Sequence, residues 1–223
     1  TSEGRIFIKI EGNKAVICEL TCETDFVAKN TDFIQIGNDI AATALAKGYT
    51  EVNQELSDML LDLATKIREN MSLRRLELVD IPENSVVSSY VQSDGKTGVV
   101  TVISADSAEG ASNANVAEFA YDCCLHIAAF TPAYIKRDDV DAAYVAEQTE
   151  IFAKQVESLD KPENVKKGII AGKINKHLAE ICFMDQPFVK DDKVSVAKKM
   201  EAVAKDAGTK LTLAKVVMYQ LGA

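Results

Sequence analysis

Histidine is scarce in this chain of 223 residues, which contains only His126 and His177. We expect His126 to be a helical histidine with satisfied hydrogen bonds, and His177 to lie on a solvated helix face. Neither is near a nucleophile signature such as G-x-S-x-G, so the nucleophile–base pair of covalent catalysis is missing. The carboxylate pairs Asp138-Asp139 and Asp191-Asp192 are typical of helix caps and loops. We therefore predict that the protein is not an enzyme.

The cysteines form neither a disulfide framework nor a metal motif. They are odd in number and show neither a C-x-x-C pair nor a Cys/His zinc pattern. The five positions are Cys18, Cys22, Cys123, Cys124 and Cys182. We expect free, buried thiols in a reducing compartment, with no metal and no cofactor.

A phosphate-binding loop is suggested by Gly95-Lys96-Thr97 but is incomplete. The full pattern needs a glycine five residues before Gly95, and Tyr90 stands there. The tripeptide also lies in a predicted β-hairpin, whereas a phosphate loop joins a strand to a helix. The sequence therefore excludes this type of nucleotide site.

The sequence also has fewer positive than negative charges, and it has no long apolar run. The net charge is −9 and the isoelectric point is about 4.9. An acidic surface repels phosphate backbones and anionic headgroups, so we predict no nucleic-acid and no membrane partner. No apolar run approaches the length of a membrane span, and we see no signal peptide.

What the sequence does contain is a mixture of strand and helix patterns, which predicts an α+β fold. Alternating apolar residues predict a strand over residues 5–10, and strands are also predicted over residues 15–21, 86–91, 98–103 and 211–221. Helical spacing predicts helices over residues 33–47, 53–76, 118–130, 141–159, 163–182 and 194–207. The second of these helices would carry Arg74 and Arg75 as internal salt-bridge donors. The tight turn Asp160-Lys161-Pro162 predicts an antiparallel helical hairpin over residues 141–182.

The two halves of the chain resemble each other. GNKAVICEL at residues 12–20 matches GKTGVVTVI at 95–103, and D-I-A-A at 39–42 matches H-I-A-A at 126–129. A third match pairs K-I at residues 66–67 with K-I at 173–174 in the same order. We predict two homologous subdomains, 1–104 and 105–223, each a small antiparallel sheet with helices, with the hairpin in the second.

The stretch CETDFVAKN at residues 22–30 follows a predicted strand and precedes a predicted helix. It therefore lies in a surface connection, where a large apolar side chain such as Phe26 needs a partner or a local pocket. Two interpretations stay open at this point. Phe26 folds back onto its own subdomain, or it is held ready for another molecule.

Several segments together resemble translation elongation factor Ts, the nucleotide exchange factor of elongation factor Tu. They are CETDFVAKN followed by Phe33, KIRENMSLRR at 66–75, SSYV at 88–91, HIAAFTPAYI at 126–135 and QPFVKDD at 186–192. They occur in the family's order and span nearly the whole chain. The resemblance implies two α+β subdomains, in agreement with the repeat.

The resemblance also implies a function. Thr24, Asp25, Phe26 and Val27 would bind elongation factor Tu, with Asp25 and Phe26 inserting near its magnesium site so that GDP leaves. The hairpin would be the family's coiled-coil element, which is linked in some members to a homodimer. The implied compartment is a bacterial cytoplasm, with an organelle matrix as the alternative.

Two departures from the family pattern accompany the resemblance. Family members usually begin with a small helical domain, which has no counterpart here, so we expect this chain to be the core region. Some members have histidine where this chain has Gln92. The rival interpretations are a module that binds partners through the hairpin without exchange activity, which requires Phe26 to be buried, and an enzyme with a site at the cleft between the subdomains.

Overall fold

A computed structural model describes residues 2–223 and shows the α+β fold expected from the sequence. The strands are β1 (Glu3–Glu11), β2 (Lys14–Cys22), β3 (Ser72–Asp80), β4 (Ser85–Val91), β5 (Thr97–Ala105), β6 (Pro187–Phe188), β7 (Asp191–Ser195) and β8 (Leu211–Gln220). The α-helices are α1 (Asp25–Ala28), α2 (Thr31–Lys47), α3 (Gln54–Asp58), α4 (Leu61–Ile67), α5 (Ala108–Ala111), α6 (Ala114–Phe130), α7 (Ala142–Val156), α8 (Glu163–Ile181) and α9 (Val196–Ala207).

Two three-stranded antiparallel sheets share one topology. In the orders β1-β2-β3 and β4-β5-β8, a hairpin comes first and the third strand pairs with the hairpin's second strand. A 17-residue helix follows each hairpin along the chain, α2 in the first half and α6 in the second. This shared order agrees with a tandem duplication. The boundary between residues 104 and 105 stays a prediction.

Spatial proximity divides the chain into two compact units. The first takes in the chain through Ala129 together with Val203–Ala223, and the second is Phe130–Ala202. Both three-stranded sheets belong to the first unit. The second unit therefore lies, along the chain, between α6 and β8.

Two apolar clusters of the first unit contain side chains of its first sheet. One lies around Phe33 of α2 and includes Phe7, Leu20 and Leu76 from the first sheet. The other joins the two sheets: Ile6 and Ile17 of the first are clustered with side chains of β5 and β8. β2 contributes to both clusters, and for that reason eight of its nine residues are buried.

A buried carboxylate on β2 ties the first sheet to the end of β8. Glu19 accepts hydrogen bonds from Arg74 and Arg75 at 2.9 and 2.7 Å, and from the backbone N–H of Gly222 at 3.1 Å. The Arg75 guanidinium also lies 4.0 Å from the centre of the Tyr219 ring. The expectation that the two arginines form internal ion pairs is confirmed, but they lie on β3 and not on a helix.

The helical region predicted over residues 53–76 is confirmed as far as Ile67, in two short helices, and is wrong beyond it. The segment forms α3, α4 and then β3, because Arg68 adopts a left-handed conformation with φ of 65° and ends α4. Residues 72–80 then pair with the free edge of β2. The strands predicted at 5–10, 15–21, 86–91, 98–103 and 211–221 are confirmed, as are α2, α6, α7 and α8 within a few residues.

The second unit contains the predicted helical hairpin, formed by α7 and α8. The Tyr144 hydroxyl and His177 Nε2 share a hydrogen bond of 2.7 Å between the two helices. The expectation that His177 lies on a solvated face is therefore wrong, since its ring is half-buried in the hairpin. Over residues 2–223, the search for membrane spans finds no helix with enough length and apolar character to cross a bilayer.

Candidate functional site

The Thr24–Val27 segment forms a capped single helical turn between β2 and α2. Thr24 has an extended backbone, and its Oγ1 accepts a hydrogen bond from the Val27 N–H at 3.3 Å. The Ala28 and Lys29 N–H groups donate to the carbonyls of Thr24 and Asp25 at 3.2 and 3.1 Å. Threonine is a favoured N-cap because its hydroxyl satisfies an N–H that the first turn leaves unpaired. The connection that the sequence predicted is therefore a defined turn, which we call the Thr24 turn.

Burial within the turn decides where Phe26 points. Val27 is 7% exposed and Ala28 is 5% exposed, and both belong to the cluster around Phe33. Successive residues of a helix point about 100° apart, so a buried Val27 directs its neighbour away from the core. Phe26 is 81% exposed. The interpretation in which Phe26 packs back onto its own chain is wrong.

The carboxylate beside Phe26 is also accessible. Asp25 lies 3.7 Å from Lys29 Nζ, and both side chains are more than half exposed. An ion pair of this kind contributes between about 0 and 1 kcal/mol in water. Asp25 can therefore exchange Lys29 for another cationic partner at little cost.

A glutamate 45 residues further along the chain holds the start of the turn. Glu69 Oε1 accepts from the backbone N–H groups of Glu23 and Thr24 at 3.1 and 3.2 Å. Its Oε2 accepts from the Thr24 hydroxyl at 2.7 Å. Sequence reasoning missed Glu69, because nothing in the pattern KIRENMSLRR distinguishes this side chain from a solvated glutamate.

The position where some family members carry histidine lies at the end of the second sheet's hairpin. The Gln92 backbone N–H donates to the Thr97 carbonyl at 2.9 Å. Its side-chain amide donates to the Ala128 carbonyl at 3.5 Å. Gln92 therefore has hydrogen-bond partners within the first unit.

The cysteines are free and buried, as predicted. Burial raises the pKa of the Cys18 thiol to about 12 and that of Cys124 to about 11, so both are protonated at neutral pH. Within residues 2–223 no group of three or more His, Cys, Asp or Glu side chains is arranged to hold a metal ion. The thiols thus have the environment of core residues and not of nucleophiles or ligands.

Comparison with known proteins identifies the family. The family model described as elongation factor TS matches residues 23–223, which include the whole Thr24 turn. This chain belongs to the elongation factor Ts family. The elongation factor Ts of Treponema denticola is 59% identical over 222 residues, covering all of this chain and 79% of the relative.

More distant members of the elongation factor Ts family match along most of the chain. The elongation factor Ts of Treponema pallidum strain Nichols is 51% identical over 233 residues, covering all of this chain and 80% of the relative. That of Borrelia recurrentis is 39% identical over 204 residues, covering 91% of this chain and 73% of the relative.

Proposed function

We propose that this chain is a guanine-nucleotide exchange factor for elongation factor Tu in translation elongation. Membership of the elongation factor Ts family supports the partner. The observation that carries the mechanism is Phe26, 81% exposed beside the exposed carboxylate of Asp25 on a turn held by hydrogen bonds. We further propose that this pair inserts near the Mg²⁺ ion and the phosphates of GDP bound to the partner.

The aromatic side chain provides energy for insertion. Phe26 leaves water when it enters a pocket of the partner, and an aromatic anchor of this kind contributes about 2 kcal/mol or more. The side chains that follow it, Val27 and Ala28, stay in the protein's own core. Phe26 is therefore presented by a fixed turn and needs little reordering on binding.

The carboxylate acts on the partner's metal site. A divalent cation is the largest local charge in a nucleotide-diphosphate site, and it neutralises the phosphates. A negative side chain near that cation, together with the displacement caused by Phe26, weakens its hold on the diphosphate. GDP then dissociates. No covalent bond forms or breaks, so the proposed activity is exchange and not enzymatic chemistry.

Exchange requires differential binding. A ligand shifts an equilibrium only by the difference between its affinities for the two states. The chain must therefore bind nucleotide-free elongation factor Tu more tightly than the GDP-bound form. A bacterial cytoplasm is the proposed compartment, since the relatives named above are bacterial proteins.

The test is release of a fluorescent GDP analogue from elongation factor Tu. We expect the unchanged chain to accelerate release and the double variant Asp25→Ala/Phe26→Ala to lose most of that acceleration. Leu61→Ala is the matched control, because Leu61 is also an exposed apolar residue but lies at the start of α4, outside the Thr24 turn and the hairpin. Binding without accelerated release by the unchanged chain would contradict the exchange role.

The rival module without exchange activity requires a buried Phe26, whereas Phe26 is exposed. A second candidate role is therefore partner binding through the hairpin in addition to exchange. Ile151, Leu159 and Val165 are each 41–42% exposed there, which favours a partner or a second copy of the chain on this surface. Sedimentation equilibrium of the unchanged chain and of Ile151→Ser/Val165→Ser tests the homodimer. A monomer at all concentrations would contradict it.

A further inference from the structure

The Thr24 turn is held from outside by one carboxylate. Glu69 accepts three hydrogen bonds at 2.7 to 3.2 Å, all from Glu23 and Thr24, immediately before the exposed Asp25 and Phe26. Two of the donors are backbone N–H groups, so the contact constrains the path of the main chain itself. The third is the hydroxyl of Thr24, the same group that accepts from the Val27 N–H and caps the turn.

The contact is reciprocal. Glu23 Oε2 accepts from the backbone N–H of Asn70 at 3.0 Å, so each strand-end segment holds the other through a glutamate. We call this pair of contacts the Glu23–Glu69 clasp. Charge-assisted hydrogen bonds of this type are stronger than neutral ones.

The backbone before Glu69 adopts an uncommon conformation. Arg68 is left-handed, with φ of 65°, a region that non-glycine residues adopt only at an energetic cost. Its N–H donates to the Ala64 carbonyl at 2.8 Å, which ends α4 and turns the chain toward β3. Arg68, the residue immediately before Glu69 of the clasp, is therefore held in a strained backbone conformation.

We infer that Glu69 is a positioning residue for nucleotide exchange: through the Glu23–Glu69 clasp it fixes the turn that presents Asp25 and Phe26. This inference rests on the proposed function. Glu69 need not touch the partner. Its contribution is to set the direction of Phe26 before binding. The turn then loses its conformational entropy during folding, and little further entropy is lost on association.

Amide hydrogen exchange in the free chain tests the clasp without any partner. In Glu69→Ala, the N–H groups of Glu23 and Thr24 lose their acceptor, and we expect their protection to fall at least tenfold. In Glu69→Gln, the side-chain carbonyl still accepts from both N–H groups while the amide donates to the Thr24 hydroxyl. We therefore expect Gln to restore most of the protection. Glu51→Ala, an exposed glutamate in the same unit, is the control.

Release of the fluorescent GDP analogue from elongation factor Tu tests the role in exchange. We expect Glu69→Ala to lower the second-order rate constant of stimulated release about tenfold, equivalent to about 1.4 kcal/mol. Glu69→Gln should recover most of the rate, and Glu51→Ala should keep all of it. In the Asp25→Ala/Phe26→Ala background, Glu69→Ala should have little additional effect, because a positioning residue acts through the groups it positions.

The two measurements separate the ways in which the inference can fail. Unchanged protection at Glu23 and Thr24 in Glu69→Ala would overturn the clasp. Lost protection with an unchanged release rate would overturn positioning while leaving exchange intact. If Glu69→Ala lowers release equally in both backgrounds, the residue acts independently of Phe26 and the inference is wrong. If the unchanged chain accelerates nothing, the proposed function fails and positioning for exchange fails with it, whereas the protection data still report on the clasp.

Discussion

Two helices of nearly equal length have opposite surroundings. α2 has 17 residues and buries six of them, among them Phe33, Gly37 and Ile40, whereas α8 has 19 residues and buries none. α2 begins at an Asn30 side-chain cap and ends at Gly48 in a left-handed conformation, while α8 begins after Pro162 without a side-chain cap hydrogen bond. α2 is stabilised by the core that also holds Val27 of the Thr24 turn, and α8 depends on its own propensity and on α7.

The largest expected difference between the two helices concerns side-chain truncation. Phe33→Ala removes a fully buried ring from the main cluster of the first unit, and should lower the free energy of unfolding by about 3–5 kcal/mol. Val165→Ala on α8 removes a side chain that is 41% exposed, and should change it by less than about 0.5 kcal/mol. Guanidinium denaturation followed by circular dichroism measures both. Similar losses in the two variants would contradict the contrast.

Ion pairs should show the same contrast on a smaller scale. Glu19 is fully buried beside arginines that are 41% and 29% exposed. Glu19→Gln should cost about 3 kcal/mol, because it removes the buried negative charge and replaces one acceptor oxygen by an NH2 group that faces a donor. Asp185 pairs with Arg137 in the second unit, and both side chains are about one-third or more exposed. Asp185→Asn should cost about 0.5 kcal/mol. The denaturation midpoints of the two variants measure the two losses of stability. Equal losses, or a larger loss in Asp185→Asn, would contradict the dependence on burial.

Glycine substitutions should have opposite signs in the two helices, with the smallest effects. A Cβ at Gly37 would overlap the ring of Phe7, so Gly37→Ala should destabilise by about 1–3 kcal/mol. A Cβ at Gly172 meets no atom within 4 Å, so Gly172→Ala should stabilise by about 0.5–1 kcal/mol through helix propensity. Thermal unfolding measures the change in stability of both variants. Destabilisation by Gly172→Ala would indicate that another molecule packs closely against α8.

Much of the fold could be predicted because its signals are local. Alternation in residues 5–10 and the turns at Gly12-Asn13 and SDGKTG mark the hairpins of both main sheets, and Gly48 marks the end of α2. The exception is the segment that became β3: Leu73, Leu76 and Val79 recur at intervals of three, which fits a helix face. The free edge of β2 decides the outcome, because residues 72–80 complete its hydrogen bonds there. That information lies in the tertiary structure and not in the segment.

The sequence proposes the residues of the candidate site, which stay a prediction, but it does not predict their geometry. The motif pointed to Thr24–Val27, while the exposure of Phe26 depends on Val27 reaching a core built by α2 and the first sheet. Glu69 is still harder to predict, since its acceptor role involves N–H groups 45 and 46 residues earlier in the chain. A single glutamate has no periodicity from which such a contact can be read.

The pairing of β5 with β8 has a consequence for synthesis of the protein. Thr97 pairs with Gln220 and Ala105 with Leu211, so the second unit is translated in full before β5 meets this neighbour. The strands β1, β2 and β3 all precede β5 in the chain, so their backbone pairing does not wait for β8, whereas one edge of β5 stays unpaired until β8 emerges. Such distant pairing slows folding, and an unpaired strand edge favours aggregation. One edge of β5 therefore stays unpaired throughout translation of the helical hairpin.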